Sequence, residues 1–377
     1  MKTALVHDWL TAMRGGEKVL EVLCELLPSS DLYTMVYVPG RTTSRIEDRR
    51  IVPSWLNRLP GVGRYYRYLL PLMPAAASGI SIRGYDLVVA ISHCVAHGVK
   101  VAPGSRFVCY CNTPMRYAWD TANSYSVGRW GGDPRYWALR RLRRHLQAWD
   151  RRASTRVDEY ISNSQNVRRR VLRCYGKDSA VIYPPVDTDF YHPAKVSVGD
   201  FYLWVGALAP YKRIDLALEA FRRLGRKLVV IGEGQDLAWA RRTAPGNVEL
   251  LGRQPDEVLR RYYRTCRALV FPSEEDFGIV PLEVQACGRP VIAYGKGGGL
   301  ETVVGLDTAG TTGRPTGVFF DQPTAQSLVE AVLLFESHEH AFDPDVIRVQ
   351  ALRFSRTRCR QDLERYLFNG RQEARSS

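Results

Sequence analysis

The chain has no apolar stretch that escapes Gly, Pro or charge for the roughly 20 residues a bilayer-spanning helix needs, so no transmembrane helix is expected. Its start leads directly into a strand-like segment, Thr3-Ala4-Leu5-Val6, which predicts no signal peptide. Long repeats and low-complexity tracts are missing too, which argues against solenoids and disordered arrays. The 8 Cys are scattered, with no C-x-x-C pair and no His at metal-ligand spacing. Cys109 and Cys111, two apart on one strand, therefore read as small core residues of a cytoplasmic protein. Acidic residues are in short supply, 39 against 53 Lys and Arg, and the net charge of +14 demands a polyanionic partner. Nucleic acid, anionic lipid and a phosphate-bearing substrate all satisfy that demand, and charge alone does not choose among them.

With 377 residues, 45% hydrophobic and 24% charged, the composition is that of a globular protein of two ordinary domains. One stretch organises the rest: Ser273 to Pro290, between the apolar strand-like runs Ala268 to Phe271 and Val291 to Tyr294. A loop, Glu274 to Gly278, opens a predicted helix from about Ile279 to Cys287, which Gly288 closes. A helix start offers unpaired N–H groups and the positive end of a dipole, so Gly278, Ile279 and Val280 can hold a phosphate oxygen. Glu275 and Glu283 flank that point eight positions apart, a spacing that suits hydroxyl-bearing groups on either side of a diphosphate, Glu275 for a sugar and Glu283 for a ribose. The plainer reading of the spacing is a βαβ crossover with two solvated acids.

The same logic extends along the chain. A first strand, Lys2 to Asp8, leads through Arg14, Gly15 and Gly16 into an amphipathic helix with Val19, Leu20, Leu23, Leu26 and Leu27 on one face. Strand, glycine pair, helix is a phosphate-cradle layout, although a tight βα turn is its commoner meaning. Tyr85 to Ile91 ends at Ser92-His93, and Arg106 to Cys111 ends at Asn112-Thr113-Pro114; polar residues at the carboxyl ends of parallel strands point into the ligand crevice of an α/β sheet. Phe201 to Gly206 leads to Pro210-Tyr211-Lys212-Arg213, where the Lys212 ammonium can join a helix dipole in neutralising a diphosphate. Trp55 to Pro74 interleaves aromatic and basic residues and, with the basic run Arg140 to Arg144, suits an anionic membrane surface; a helix packed on its own domain explains it equally well. Asp187-Thr188-Asp189 looks like a metal-binding D-x-D, but its Pro-rich connector argues against that, and no metal or other cofactor is expected. Phe342 to Leu367 reads as one helix.

Glu275 to Glu283, with Phe277-Gly278-Ile279-Val280 between, resembles the E-x7-E signature of the retaining family 4 glycosyltransferases, and the likeness extends over most of the chain. The resemblance implies the α/β GT-B fold: two Rossmann-like doubly wound domains facing across a cleft. It implies an acceptor-side domain at 1–186, a nucleotide-sugar-binding domain at 187–345, and a C-terminal helix, 346–377, crossing back to the first. Catalytic roles then fall to Glu275, Lys212, Asn112 and His93. Donor binding falls to Gly15, Gly16, Lys212, Arg213, Gly252, Arg253, Phe277, Gly278, Ile279, Val280 and Glu283.

Two departures from the family pattern stand out. Asn112 takes the place of a His in Y-C-H-T-P-M-R-Y and cannot exchange a proton near neutral pH, so His93 is the candidate to compensate. Ala207 takes the place of an Arg, leaving Lys212 or Arg213 to carry the phosphate charge. The family's reaction has the acceptor attack on the face the diphosphate leaves, with the leaving phosphate taking the proton.

Segments around Gly15 to Val19 and Thr113 to Tyr117 resemble bacterial mannosyltransferases of O-antigen and exopolysaccharide synthesis. These imply GDP-mannose as donor, ahead of a UDP-hexose or dTDP-rhamnose, a polyprenyl-diphosphate-linked saccharide as acceptor, and peripheral attachment to the inner face of the plasma membrane. A nucleotide-sugar epimerase would share the fold. A nucleic-acid-binding protein would explain the charge, but no recognised motif for one is present, and nucleic acid is not expected as a partner.

Overall fold

A computed structural model describes residues 1–120, 134–306 and 314–369, excluding the side chains of 134–141. The chain forms two compact units, Met1–Pro185 with Thr357–Ser377, and Val186–Arg356.

The first unit's strands are β1 (Thr3–Leu10), β2 (Asp31–Tyr37), β3 (Ile51–Pro53), β4 (Ser81–Ile82), β5 (Leu87–Ser92), β6 (Lys100–Val101), β7 (Arg106–Cys111), β8 (Glu159–Ser162) and β9 (Ser179–Val181). Seven make one parallel sheet in the order β3-β2-β1-β5-β7-β8-β9, while β4 and β6 pair separately. The central strands are apolar without alternation because both of their faces are covered. On β5, Val88 and Ala90 pack into one core and Leu87, Val89 and Ile91 into the other. Each such aliphatic side chain contributes about 1.5–3 kcal/mol on burial. The helix Gly15–Leu26 covers the second face, burying Val19, Leu20 and Leu23, as its periodicity predicts. Ser164 starts the helix Gln165–Tyr175 by accepting from Val167 N–H, and Gly176, at φ +67, ends it.

The second unit repeats the plan with β10 (Tyr202–Val205), β11 (Leu228–Ile231), β12 (Val248–Gly252), β13 (Leu269–Phe271), β14 (Val291–Tyr294) and β15 (Gly317–Phe320), in the order β12-β11-β10-β13-β14-β15, all parallel. In both sheets the chain reverses its direction of winding once, between β1 and β5 and between β10 and β13. That reversal leaves a crevice at the carboxyl ends of those strands.

Two elements differ from expectation. The first strand runs on to Leu10, because β2 continues to pair with it as far as Tyr37. The single helix expected over 342–367 is broken into Pro344–Leu352 and Arg356–Glu364. Val186 causes the break: its N–H donates to Phe354 O and its O accepts from Arg356 N–H, a bridge that helical backbone at 354–356 could not make. After the break, Cys359, Leu363, Tyr366 and Leu367 pack into the first unit's core.

Candidate functional site

In the second unit the crevice is made by the segments that follow β10 and β13. Val205 leads through a loop to a short 3-10 turn, Pro210–Lys212, and Arg213 then takes a left-handed conformation, φ 54, to enter the helix Ile214–Leu224. This turn directs Lys212 toward Glu275, and its Nζ donates to Glu275 Oε1. Ser273 Oγ donates to the same oxygen at 3.0 Å. Both members of the ion pair keep 16% of their side chains in contact with solvent, so the pair is sheltered yet reachable by a ligand.

Directly beyond, Gly278 stands at the N-cap of the helix Ile279–Ala286 with φ +91 and no side-chain cap. A residue with a Cβ would be strained there and would press on Phe271 at 3.3 Å. A helix start without a side-chain cap is the feature from which Ile279 and Val280 are expected to hold an anion. The glycine loop at 297–299 docks on the same segment: Gly298 N–H donates to Glu275 O at 2.7 Å, and a Cβ on Gly298 would lie 2.4 Å from Phe277 Cα. Phe277 itself is buried and packs on Phe354.

Glu283, one helical turn inside, is buried and accepts from the Tyr263 hydroxyl at 3.1 Å. Burial, and then the Glu283 charge, holds that hydroxyl protonated well above its usual range. Arg213 pairs with Asp215 at 3.1 Å. Gly252 ends β12 at φ +68, and Arg253 beside it is exposed. The Asp187 carboxylate accepts from Phe190 N–H and so serves a turn of the connector. Among the described residues no group of three or more His, Cys, Asp or Glu is placed to hold a metal ion.

In the first unit the crevice gathers His7, Asp8, Gly16, His93 and Asn112. The helix Gly15–Leu26 begins after Arg14 without a side-chain cap. A Cβ on Gly16 would lie 3.2 Å from Asn112 Nδ2 and 3.4 Å from His7 Nε2, so this glycine lets the helix start sit directly on both side chains. Both nitrogens are buried without a hydrogen-bond partner, an arrangement that a polar ligand at the helix start would relieve. Burial, the largest influence on His7, lowers its pKa, keeping it neutral.

Asp8 was not marked out by the sequence, yet it is the most heavily bonded group of this crevice. Fully buried, it accepts from the backbone N–H groups of His93, Cys94, Val95 and Ala96 at 2.6–3.0 Å, and its Oδ2 lies 3.0 Å from His93 Nδ1. Burial alone would raise its pKa, but the charge and hydrogen bonds of His93 hold it well below the usual carboxylate range. The only sequence signal was its position near the end of a central parallel strand.

All eight cysteines are buried free thiols, as their scatter predicted. Within Trp55 to Pro74 the reading divides by face. Leu56, Val62 and Tyr66 are buried, whereas Trp55, Tyr68 and Leu72 are exposed together with Arg58, Arg64 and Arg67. Of the basic run, the Arg140 and Arg141 side chains lie outside the described residues, while Arg143 donates to Ala118 O. No helix among the described residues is long and apolar enough to cross a membrane.

Residues 13–190 match the family described as Glycosyltransferase Family 4, and residues 189–345 match the family Glycosyl transferases group 1. The chain is 31% identical over 156 residues to an uncharacterised glycosyltransferase of Methanocaldococcus jannaschii, covering 39% of this chain and 41% of that protein. It is 32% identical over 214 residues to the D-inositol 3-phosphate glycosyltransferase of Kineococcus radiotolerans, covering 47% of this chain and 48% of that protein. The chain thus spans less than half the length of these curated relatives. Among solved structures, HepE of Anabaena in complex with UDP superposes with a TM-score of 0.69 at 15% identity, covering 98% of this chain and all of that one. Sucrose-phosphate synthase of Thermosynechococcus elongatus superposes with a TM-score of 0.70 at 16% identity, with the same coverage. The two parallel Rossmann-like sheets are those of the GT-B fold, and the chain belongs to the family 4 (group 1) glycosyltransferases.

Proposed function

We propose that the protein transfers a sugar, with retention of configuration, from a nucleotide diphosphate sugar to an acceptor hydroxyl. The observation that carries this reading is the Lys212–Glu275 pair beside the uncapped helix start at Gly278, at the reversal point of the second sheet. Lys212 and the N–H groups of the helix Ile279–Ala286 are complementary to a pyrophosphate leaving group, whose negative charge grows as the glycosidic bond breaks. Glu275 accepts from sugar hydroxyls while tethering Lys212, and Glu283 serves the ribose. Within the second unit, Gly252 and Arg253 are our candidates for the base; within the first, Gly15, Gly16 and Asn112 are our candidates for polar contacts to substrate.

GDP-mannose is the first candidate donor, on the resemblance of Gly15 to Val19 and Thr113 to Tyr117 to mannosyltransferases. A UDP-hexose is the second, favoured by the likeness to HepE, which has been solved with UDP-glucose. The acceptor is a polyprenyl-diphosphate-linked saccharide presented at an anionic membrane surface. Exposed Trp55, Tyr68 and Leu72, flanked by Arg58, Arg64 and Arg67, give the first unit an amphipathic basic face suited to lipid headgroups.

Incubating the protein with GDP-mannose or UDP-glucose and a farnesyl-diphosphate-linked monosaccharide tests the reading. Release of nucleotide coupled to an α-glycosidic product supports it. A β-linked product refutes retention, and conversion of the nucleotide sugar without acceptor would identify an epimerase.

A further inference from the structure

In the second unit, the helix Asp256–Thr265 carries Glu257, Arg260, Arg261, Arg264 and Thr265 at i, i+3, i+4, i+7 and i+8, which is a single face. Buried Tyr263 belongs to the other face. A stripe at this spacing is ordinarily apolar and packed on the core. Here, together with Val196 of the connector, it lines an open cavity of about 280 Å³. The helix runs from the carboxyl end of β12 to the amino end of β13. Arg261, Arg264 and Thr265 therefore lie toward the edge of the sheet opposite the crevice of Lys212 and Glu275.

Two of the three guanidinium groups are held by neutral partners. Arg260 Nη1 donates to Phe190 O at 3.3 Å and its guanidinium lies 4.3 Å over the Phe190 ring, while Arg264 Nε donates to His192 O at 2.7 Å. These contacts orient positive charge without cancelling it. Among the described residues no carboxylate pairs with Arg260, Arg261 or Arg264. Arg260 and Arg264, four positions apart, repel each other across one helical turn, and Glu257 offsets only one of the three charges. An anion in the cavity would relieve that repulsion, and planar guanidinium forks match phosphate oxygens two at a time.

We propose that this face and the connector form a binding site for a small phosphate ester that carries free hydroxyls. The phosphate meets Arg261 and Arg264, with Arg260 beside them. The Glu257 carboxylate can only accept, so it needs a donor from the ligand, and a hydroxyl of the ester supplies one. Thr265 Oγ already donates to Arg261 O and is left to accept another. The cavity falls below the roughly 300–1,000 Å³ of sites for drug-sized ligands, which excludes a whole nucleotide sugar. A soluble polyol phosphate and a glycerophosphate lipid headgroup present the same chemistry. The site stands independently of the transfer reading.

Calorimetry on the full chain with glycerol 3-phosphate and inorganic phosphate tests it. Glycerol 3-phosphate should bind wild-type protein and Lys212→Ala alike, which separates the cavity from the donor crevice. Arg261→Gln should weaken that binding about tenfold or more, the effect of losing one charge-assisted contact, and should melt like wild type because Arg261 is exposed. Glu257→Ala should weaken glycerol 3-phosphate yet strengthen inorganic phosphate, since only the ester offers Glu257 a hydroxyl beyond the phosphate. Retention on phosphatidylglycerol vesicles separates the two sources: a deficit in Arg261→Gln assigns the headgroup, and retention equal to wild type assigns the soluble ester. No saturable binding of glycerol 3-phosphate, wild-type affinity in Arg261→Gln, or loss of binding in Lys212→Ala overturns the site. Glu257→Ala strengthening both ligands overturns the ester in favour of a bare anion. Nucleotide binding and sugar transfer by Arg261→Gln should match wild type, so failure of this site leaves the transfer reading untouched.

Discussion

Lys212 Nζ donates to Glu275 Oε1, joining the segment after β10 to the segment after β13 at the point where the second sheet reverses its winding. The two residues are 63 positions apart in sequence, and only the β10–β13 pairing brings their loops together. A cation tethered by a carboxylate is already oriented before a diphosphate arrives, so little reorganisation remains for the reacting complex.

Lys212→Ala should therefore lower turnover by about a hundredfold or more, the effect of losing one strong transition-state donor. Folding should persist, because both partners keep some solvent contact and Glu275 retains the Ser273 hydroxyl. Steady-state kinetics beside a thermal melt separate the two effects. Near-normal turnover would remove Lys212 from the site.

Glu283 and Glu275 should fail in different ways. Glu275→Ala should abolish transfer while GDP or UDP alone still binds. Glu283→Ala leaves the buried Tyr263 hydroxyl without its acceptor, a loss of about 1–3 kcal/mol in stability that has nothing to do with nucleotide. Tyr263→Phe supplies the control, since it breaks the same bond and leaves the carboxylate in place. Calorimetry with free nucleotide should show weaker binding for Glu283→Ala and near-wild-type binding for Tyr263→Phe; equal weakening in both would make Glu283 purely structural.

The sequence showed the parts of the site that are local and concealed those that are not. Gly278, the helix after it and the glutamates at 275 and 283 lie within a single strand-loop-helix unit; cap chemistry and apolar periodicity are enough to find that unit, whereas the two glutamates were singled out from solvated acids by the family resemblance. Lys212 was legible for the same reason, as a cation between a strand and a helix. Asp8 was not, because its four backbone donors lie 85 to 88 residues further on and are folded into a turn whose shape no local pattern encodes. The break in the final helix was hidden likewise: a backbone bridge to Val186 overrides helix-compatible residues.

Acid should unfold the first unit through Asp8. Its folded pKa lies below the roughly 3.9 of an unfolded chain, so its contribution is complete above that value and is lost as pH falls through the folded one. For His93 the sign is opposite: a raised folded pKa gives a contribution present below about 6.5 and lost as pH rises through the folded value. Neutral, buried His7 costs stability as pH falls below about 6.5, because the unfolded chain then binds a proton that the folded one excludes. Urea midpoints measured between pH 3 and 8 should show His93→Gln removing the decline on the alkaline side and leaving the His7 contribution on the acid side. An alkaline decline unchanged in His93→Gln would place its origin elsewhere.

Gly298→Ala tests how tightly the segment 275–278, which we propose binds the donor, is held. The added methyl would lie 2.4 Å from Phe277 Cα, 2.5 Å from Phe277 O and 2.6 Å from Asp276 O, all backbone atoms that no rotamer change can move aside. Either the glycine loop lifts, breaking the 2.7 Å bond from Gly298 N–H to Glu275 O, or residues 275–277 shift and carry Glu275 with them. Overpacking of this kind costs about 1–3 kcal/mol, and a displacement near 1 Å at a reacting group is enough for a hundredfold loss of rate. The expected result is a lowered melting temperature with a fall in kcat larger than the change in nucleotide affinity, because the helix start at Gly278 follows the displaced segment and Glu275 lies within it. Gly295→Ala is the comparison: its nearest neighbour, the Asp321 carboxylate at 3.2 Å, is a side chain that can turn away, so that variant should keep its rate. Equal losses in both would mean that the contact of the glycine loop with Glu275 does not set the geometry of transfer.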